Sequence, residues 1–236
     1  MDPLSAAHLL DACERGRALP AASRALLLLG AAHPDEPPGA LAALPVGRRD
    51  ARLLRLRERT LGPALEIETR CPACDERLEL TVPGADLRAA SPAAAPEPLR
   101  LDHNGTTVTF RLPTSRDLLD ATDADGLLRR CVLEAHDSNG EPVADLGHEV
   151  RAALAQAMAE ADPLAEVDLA MTCVACGHEW SDVLDVASFV WAEFEAWAPR
   201  LLRDVHRLAS AYGWAERDVL AMSAWRRGQY LQLLDA

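Results

Sequence analysis

The amino-acid sequence predicts an α+β protein that is mostly helical. Apolar residues recur at helical spacing near both ends of the chain and in its middle. Strand-like alternation of apolar and polar residues flanks two Cys-x-x-Cys pairs. The dipeptide Asn104-Gly105, which favours a tight hairpin turn, lies between two further alternating stretches. Helices and short antiparallel hairpins are therefore expected in the same chain.

Composition restricts the class of protein. With 236 residues, of which 49% are hydrophobic and 26% charged, the chain is predicted to be globular. Its 24 basic and 37 acidic residues give a net charge of −13, which makes nucleic acid an unfavourable partner. No apolar stretch approaches the roughly 18 residues of a membrane span, and residues 1–16 lack the basic region of a secretion signal. A cytoplasmic protein that does not enter membranes is therefore expected.

Three helices are predicted in an N-terminal helical region, residues 1–62. The first covers residues 3–16 with Ser5 as N-cap, and the second starts with Pro20 at its first position and continues to residue 32. The third covers residues 45–61 and carries six arginines among its leucines: Arg48, Arg49, Arg52, Arg55, Arg57 and Arg59.

This arginine-rich helix has two interpretations. In the favoured one, its arginines form a solvated face that nearby acidic residues neutralise. In the other, they form a docking surface for an acidic partner protein, because guanidinium groups can bind carboxylates through two hydrogen bonds. Under the second interpretation, Arg48, Arg52 and Arg55 are the candidate partner-binding residues.

Two copies of a strand, a cysteine turn and a second strand follow. Residues 65–70 and 77–82 alternate around the CPAC turn, and residues 165–172 and 177–184 repeat the layout around the CVAC turn. Gly177 is suited to the exit of the second turn, where a positive φ is often needed. In a reducing cytoplasm such pairs indicate a metal site rather than disulfides.

Zinc is the metal that this pattern favours. Two Cys-x-x-Cys turns supply the four tetrahedral sulfur ligands of a closed structural site, namely Cys71, Cys74, Cys173 and Cys176. A redox function would place each pair at the start of a helix, and neither pair precedes a helical pattern. His178 is expected to be exposed or to lie behind the ligands, since four cysteines already complete the shell. The prediction is a split zinc ribbon, residues 63–83 and 164–186.

The two cysteine turns are separated by 98 residues. Within them, residues 84–163 are predicted to form an insert, a small α+β lobe. An Ala- and Pro-rich linker is expected over residues 84–100, and then the hairpin around Asn104-Gly105. Helices are predicted over residues 115–124, which Thr114 or Ser115 can cap, over residues 126–135, and over residues 146–162 before Pro163.

An aromatic-rich C-terminal helical region is predicted over residues 187–236. Nine of the ten aromatic residues lie between Trp180 and Tyr230. One helix should carry Phe189, Val190, Phe194 and Trp197 along one side, a second should start at Pro199 and end at Gly213, and two shorter helices should follow. The aromatic residues suit the core of a helical bundle. If Trp214, Trp225 and Tyr230 are partly exposed, they suit a protein interface instead.

The sequence contains no motif for catalysis. A Gly-rich phosphate loop, an H-E-x-x-H pair and a G-x-S-x-G elbow are all missing. A catalytic zinc would also need an open position that four thiolates do not leave. An alternative hypothesis is a zinc-ribbon transcription regulator in which residues 213–231 form a helix-turn-helix and Arg226 and Arg227 contact phosphate. A third is a redox or metal-handling enzyme with two reactive dithiols.

Three segments resemble proteins of one family. Residues 212–234 (YGWAERDVLAMSAWRRGQYLQLL), residues 110–121 (FRLPTSRDLLDA) and residues 48–74 (RRDARLLRLRERTLGPALEIETRCPAC) are similar to baseplate proteins of contractile phage tails and extracellular contractile injection systems. Within that group the chain resembles the relatives of T-even hub assembly chaperones that carry zinc knuckles.

The resemblance implies a noncatalytic role in building or completing a baseplate. Its partners would be other baseplate or tail subunits, and the protein could become part of a tail-like particle. Partner-binding residues would then include Trp214, Trp225, Arg226, Arg227 and Tyr230 near the C-terminus, together with Arg48, Arg52 and Arg55 of the third helix.

Overall fold

The protein is represented by a computed structural model, in which residues 5–37, 39–89 and 98–235 are described. Within them lie ten α-helices, two short 3₁₀-helices and seven strands, so the predicted α+β class with mostly helical content is confirmed. The chain divides into two units, residues 1–36 with 187–236 and residues 37–186. No described helix combines the length and the apolar character needed to cross a membrane.

Helices and strands alternate in groups along the chain. The helices are α1 (Ala6–Gly16), α2 (Ala21–Ala32), α3 (Val46–Leu61), α4 (Gly84–Ala89), α5 (Ser115–Asp120), α6 (Ala124–Cys131), α7 (His148–Ala161), α8 (Val186–Tyr212), α9 (Glu216–Leu220) and α10 (Ala224–Leu234). The strands are β1 (Ala64–Arg70), β2 (Arg77–Pro83), β3 (Leu99–His103), β4 (Thr106–Phe110), β5 (Val132–His136), β6 (Val167–Thr172) and β7 (Glu179–Leu184). The 3₁₀-helices are Leu41–Ala43 and Pro163–Ala165.

The first unit contains helices α1, α2, α9 and α10 and nearly all of α8. Ser5 caps α1 as predicted, because its side chain accepts a hydrogen bond from the backbone N–H of His8 at 3.2 Å. Pro20 is the N-cap of α2 rather than its first residue. Trp191 is buried against Gly16, where an added Cβ would lie 2.1 Å from the indole ring. Only glycine therefore fits at the end of α1.

Helix α8 corrects the prediction that a new helix starts at Pro199. Pro199 lies inside one continuous helix and is exposed. The buried residues of this helix recur every three or four positions on both sides of the proline: Val190, Phe194, Ala198, Leu201, Val205 and Leu208. Packing of this stripe outweighs the cost of an interior proline, about 3 kcal/mol. Gly213 follows with φ 70°, as predicted for the residue that ends the helix.

The second unit contains a three-stranded antiparallel sheet with the order β3-β4-β5. The predicted hairpin is confirmed, with Asn104 at φ 48° and Gly105 at φ 74° in its turn. The sheet and helices α6 and α7 bury a common apolar core: Val108, Phe110, Leu112, Cys131, Ala135, Val150, Leu154 and Met158.

Two predictions for the insert are wrong in part. Residues 132–135 form strand β5 instead of the second half of a helix, because Ala135 pairs with Val108 of β4 and is buried beside it. Of the predicted linker, residues 84–89 form α4, in which Arg88 forms an ion pair with Glu58 of α3 at 2.6 Å, and residues 99–100 open β3. Residues 90–97 lie outside the described part of the chain.

Two separate hairpins, β1–β2 and β6–β7, complete the second unit. In the first, Ala64 to Arg70 pair in register with Pro83 to Arg77, and in the second, Val167 to Thr172 pair with Leu184 to Glu179. Exposed and less exposed residues alternate along β1, β2 and β6. Each hairpin therefore has one apolar side and ends in a cysteine turn.

Candidate metal centre

The first cysteine turn joins β1 to β2. The backbone N–H of Cys71 donates to the carbonyl of Glu76, and the N–H of Asp75 donates to the carbonyl of Cys71, both at 2.9 Å. Asp75 takes a positive φ of 59°, which few residues other than glycine adopt readily. Arg70 donates to the backbone carbonyl and to the carboxylate of Asp75, each at 3.1 Å, and so holds this conformation.

The second turn, between β6 and β7, has the same hydrogen bonds. The N–H of Cys173 donates to the carbonyl of His178 at 2.8 Å, and the N–H of Gly177 donates to the carbonyl of Cys173 at 2.9 Å. Gly177 has φ 73° and occupies the position of Asp75, which confirms the positive φ predicted for it. The two turns are therefore structural repeats, and only one of them has the glycine that reveals this conformation in the sequence.

The structure brings all four predicted cysteines together. Their Sγ atoms lie within 4.8 Å of one another. Two separations cross between the turns, from Cys71 to Cys176 at 3.7 Å and from Cys74 to Cys173 at 3.6 Å. Four sulfurs at the usual Zn–S distance around a tetrahedral ion would lie about 3.8 Å apart, whereas a disulfide requires about 2.05 Å. All four cysteines are free thiols, and their arrangement fits a tetrahedral metal ion.

Burial and backbone dipoles divide the four thiols. Cys71 and Cys173 are each 2% exposed, while Cys74 and Cys176 lie at the surface. The backbone N–H groups of Cys176 and Ala175 favour the thiolate of Cys173 and lower its pKa to about 7. Each turn therefore contributes one buried cysteine and one cysteine at the surface.

No histidine or carboxylate joins the four sulfurs among the described residues. The predicted exposure of His178 is found, and its ring lies parallel to that of Trp180 with the centroids 6.0 Å apart. Four thiols without a further group can bind a metal ion through every coordination position. Such a centre can hold two hairpins together, but it leaves no position for a substrate.

The arginines of α3 have two different environments. Arg48 and Arg55 are exposed, and Arg52 is half-buried. Arg49 is 3% exposed and binds both carboxylate oxygens of Asp50, at 2.7 and 3.0 Å. Arg57 is 4% exposed and donates to the carbonyl of Gly62 at 2.5 Å. A uniformly solvated arginine face is therefore wrong for this helix.

The Phe-Arg-Leu-Pro-Thr segment confirms Thr114 as the cap of α5 and adds contacts that the sequence did not predict. Arg111 donates to both carboxylate oxygens of Asp117, at 2.6 and 2.8 Å, and Thr114 and Asp117 form a capping box at the start of α5. The carbonyl of Pro113 accepts from the N–H of Val46 at 3.0 Å. Together these bonds attach the insert to the start of α3.

The C-terminal candidate residues are partly at the surface. Trp225 is 74% exposed, and Arg226 is also exposed. Trp214 and Tyr230 are half-buried and form an aromatic cluster with Tyr212, with centroids 4.5 to 5.8 Å apart. Arg227 is different: it is 5% exposed and donates to the carbonyl of Met222 at 2.6 Å, and burial lowers the pKa of its guanidinium.

Comparison with known families gives a match over most of the chain. Residues 32–191 match the family described as T4 bacteriophage base plate protein. This range includes α3, both cysteine turns and the whole insert. No curated protein and no solved structure matches the chain significantly.

Proposed function

Because the chain belongs to the T4 bacteriophage base plate protein family, we propose that it is a noncatalytic structural or assembly protein of the baseplate, stabilised by one structural zinc ion. It acts by binding other baseplate subunits. The proposal includes the resemblance to hub assembly chaperones with zinc knuckles. Family membership is the observation that carries it, because the match covers more than half of the chain and includes the metal centre.

The sulfur geometry supports zinc as the metal. Cross-turn separations of 3.6 and 3.7 Å suit the tetrahedral, all-sulfur shell that structural zinc takes. The centre joins hairpins from the two ends of the insert. Bound metal would then fix the base of the insert, which carries its own apolar core.

The same geometry argues against catalysis at this centre. A zinc ion bound by four thiolates has no free position for water or substrate. The group of four cysteines is also the only described cluster of three or more metal-binding side chains. The centre therefore supports a protein that acts by binding other proteins better than it supports an enzyme.

Purification of the particle tests the proposed function. Baseplates and their assembly intermediates should be isolated from a producing strain and analysed by mass spectrometry. The chain is expected in one of these fractions, with one zinc per chain in the purified protein. If it copurifies with no baseplate subunit at any stage, the proposed function is wrong.

The alternative of a helix-turn-helix regulator meets a specific obstacle. It requires Arg227 to contact phosphate, yet this side chain is buried and bonded to Met222. A filter-binding titration at two salt concentrations separates the two functions, because phosphate contacts weaken steeply as salt rises. Tight, salt-sensitive DNA binding would favour the regulator.

A further inference from the structure

Four arginines of α3 form one stripe along the helix. Arg48, Arg52, Arg55 and Arg59 are separated by four, three and four positions. At 3.6 residues per turn, they fall within a sector of about 60°, and they extend over about 16 Å of the helix axis. We call these four residues the arginine stripe. The buried Arg49 and Arg57 lie on other sides of the helix.

Three of the four arginines in the stripe are exposed, and the stripe is only partly neutralised. Arg48, Arg55 and Arg59 are exposed, and neither Arg48 nor Arg55 forms an ion pair with any described residue. Some exposed arginines do pair with acids, as Arg77 does with Glu68 at 2.6 Å and Arg100 with Asp102 at 3.3 Å. What distinguishes the stripe is that its charges share one face of a single helix. The chain has an excess of acidic residues, so it does not lack carboxylates with which Arg48 and Arg55 could pair.

Like charges at this spacing repel one another across the helix surface. The buried arginines of this helix are Arg49 and Arg57, whereas Arg48 and Arg55 face solvent. A self-repelling stripe is relieved when carboxylates of another molecule lie along it. Guanidinium groups suit that task, since each can donate two parallel hydrogen bonds to one carboxylate.

We propose that the arginine stripe docks an acidic helix of another baseplate subunit. This inference rests on the proposed function and names the partner's chemistry. A helix with Asp or Glu seven positions apart would match Arg48 and Arg55, the two members that form no ion pair with a described residue. A protein segment suits the site better than nucleic acid, because it carries fewer negative charges than a continuous phosphate backbone and the net charge of −13 therefore repels it less.

The first test is charge reversal in the full chain. A strain that lacks the chain but makes the other particle proteins is complemented with wild type, with R48E/R55E, or with R200E/R203E. The control reverses the same number of charges at exposed positions of α8. We expect R48E/R55E to reduce the chain bound to baseplates at least tenfold and the control to leave it within twofold. Equal incorporation of the two variants would overturn the inference.

Folding and metal content are measured on both variants first. Their unfolding midpoints should stay close to that of wild type, because the changed side chains are exposed. If R48E/R55E proves unfolded, R48Q/R55Q replaces it, since glutamine removes the charge without introducing repulsion from the acidic surroundings.

A photo-crosslinking residue in place of Arg55 identifies the occupant directly. A crosslink to an acidic helix of a protein subunit supports the inference. Nucleic acid, a second copy of this chain or a segment without acidic residues would overturn it. If the crosslinked acidic protein belongs to no baseplate, the docking surface stands and the proposed function fails, so the two failures are distinguishable.

Discussion

The Sγ atoms of Cys74 and Cys173 lie 3.6 Å apart, although the two residues are 99 positions apart in the chain. Residues 84–163 lie in the chain between the two hairpins that carry these cysteines, and they contain an apolar core of their own. A metal ion at the four sulfurs would close a loop of that length, and closing long loops restricts the unfolded chain most. The centre would therefore stabilise the second unit chiefly at the base of the insert.

Loss of one buried ligand should remove the metal. In C173S we expect the zinc content, measured by elemental mass spectrometry, to fall from one ion per chain to less than about one fifth of that value. Structural zinc commonly contributes on the order of 10 kcal/mol to small domains. Hydrogen exchange should therefore speed up in β1–β2 and β6–β7 while the core around Phe110 remains protected.

C13A is the matched control for that variant. Cys13 is also a buried free cysteine, but it lies in α1 and its thiol donates to the carbonyl of Phe194. This variant should keep its zinc. Full zinc content in C173S would contradict ligation by four sulfurs.

The contribution of Asp50 to stability should fall between pH 4 and pH 6 as the pH rises, so the difference between wild type and D50N isolates it. Burial raises the pKa of Asp50 to about 6 although Arg49 binds it, and Asp185 and Asp162 add to the rise. The folded state therefore holds a proton in this window that the unfolded state has released, and that advantage is lost as the pH passes the folded pKa. Urea unfolding at several pH values should show the slope in wild type and a flatter one in D50N.

Asp117 should act in the opposite direction at lower pH. Hydrogen bonds from Arg111 hold the pKa of this carboxyl well below its usual range. Its contribution is complete above about pH 4 and disappears as the pH falls toward the folded pKa. D117N should therefore remove part of the stability loss in acid. If D117N loses as much unfolding free energy at low pH as wild type does, other carboxyl groups control the loss of stability in acid.

Two helical glycines should respond in opposite ways to alanine. At Gly47 an added Cβ would lie 2.0 Å from Oδ1 of Asp162, whose other oxygen accepts from the Gly47 N–H at 2.8 Å. G47A should destabilise the protein by about 1–3 kcal/mol through overpacking. Gly30 has no neighbour within 4 Å of such a Cβ, so G30A should stabilise α2 by up to about 1 kcal/mol. Thermal unfolding of both variants gives the signs, and equal shifts would contradict this account.

Two tryptophans should separate stability from binding. Trp191 is 1% exposed and donates to the carboxylate of Glu195 at 3.2 Å. W191A should therefore cost about 3–5 kcal/mol. Trp225 is 74% exposed, so W225A should change stability by less than about 0.5 kcal/mol. If Trp225 contacts a baseplate subunit, W225A should reduce the amount of the protein that copurifies with baseplates. Wild-type protein prepared in parallel gives the reference amount.

Local features were the ones that the sequence predicted well. Ser5 caps a helix, Asn104-Gly105 makes a hairpin turn and Gly177 takes a positive φ, because each depends on a few neighbouring residues. The proximity of the four cysteines was also predictable, since one metal ion requires four ligands whatever their distance in the chain. The positive φ of Asp75 was not, because aspartate takes this conformation more often than most residues but still in only a minority of positions, and the CPAC turn has no glycine to indicate it.

Features set by distant partners were missed. Residues 132–135 have a helical pattern, but pairing with β4 makes them a strand. Pro199 marks a helix start in sequence, but the buried stripe of α8 carries the helix through it. Arg49 and Arg57 resemble surface residues in the sequence, and only their contacts with Asp50 and the carbonyl of Gly62 explain why they are buried.

The sequence alone predicted the class of the fold, the hairpin turn at Asn104-Gly105 and the four cysteines that lie together, because these follow from spacing and from local backbone preferences. Only the tertiary structure decided which sulfurs are neighbours, which arginines of α3 are buried and which face solvent. Those outcomes depend on burial and pairing between residues far apart in the chain, and no local pattern records them.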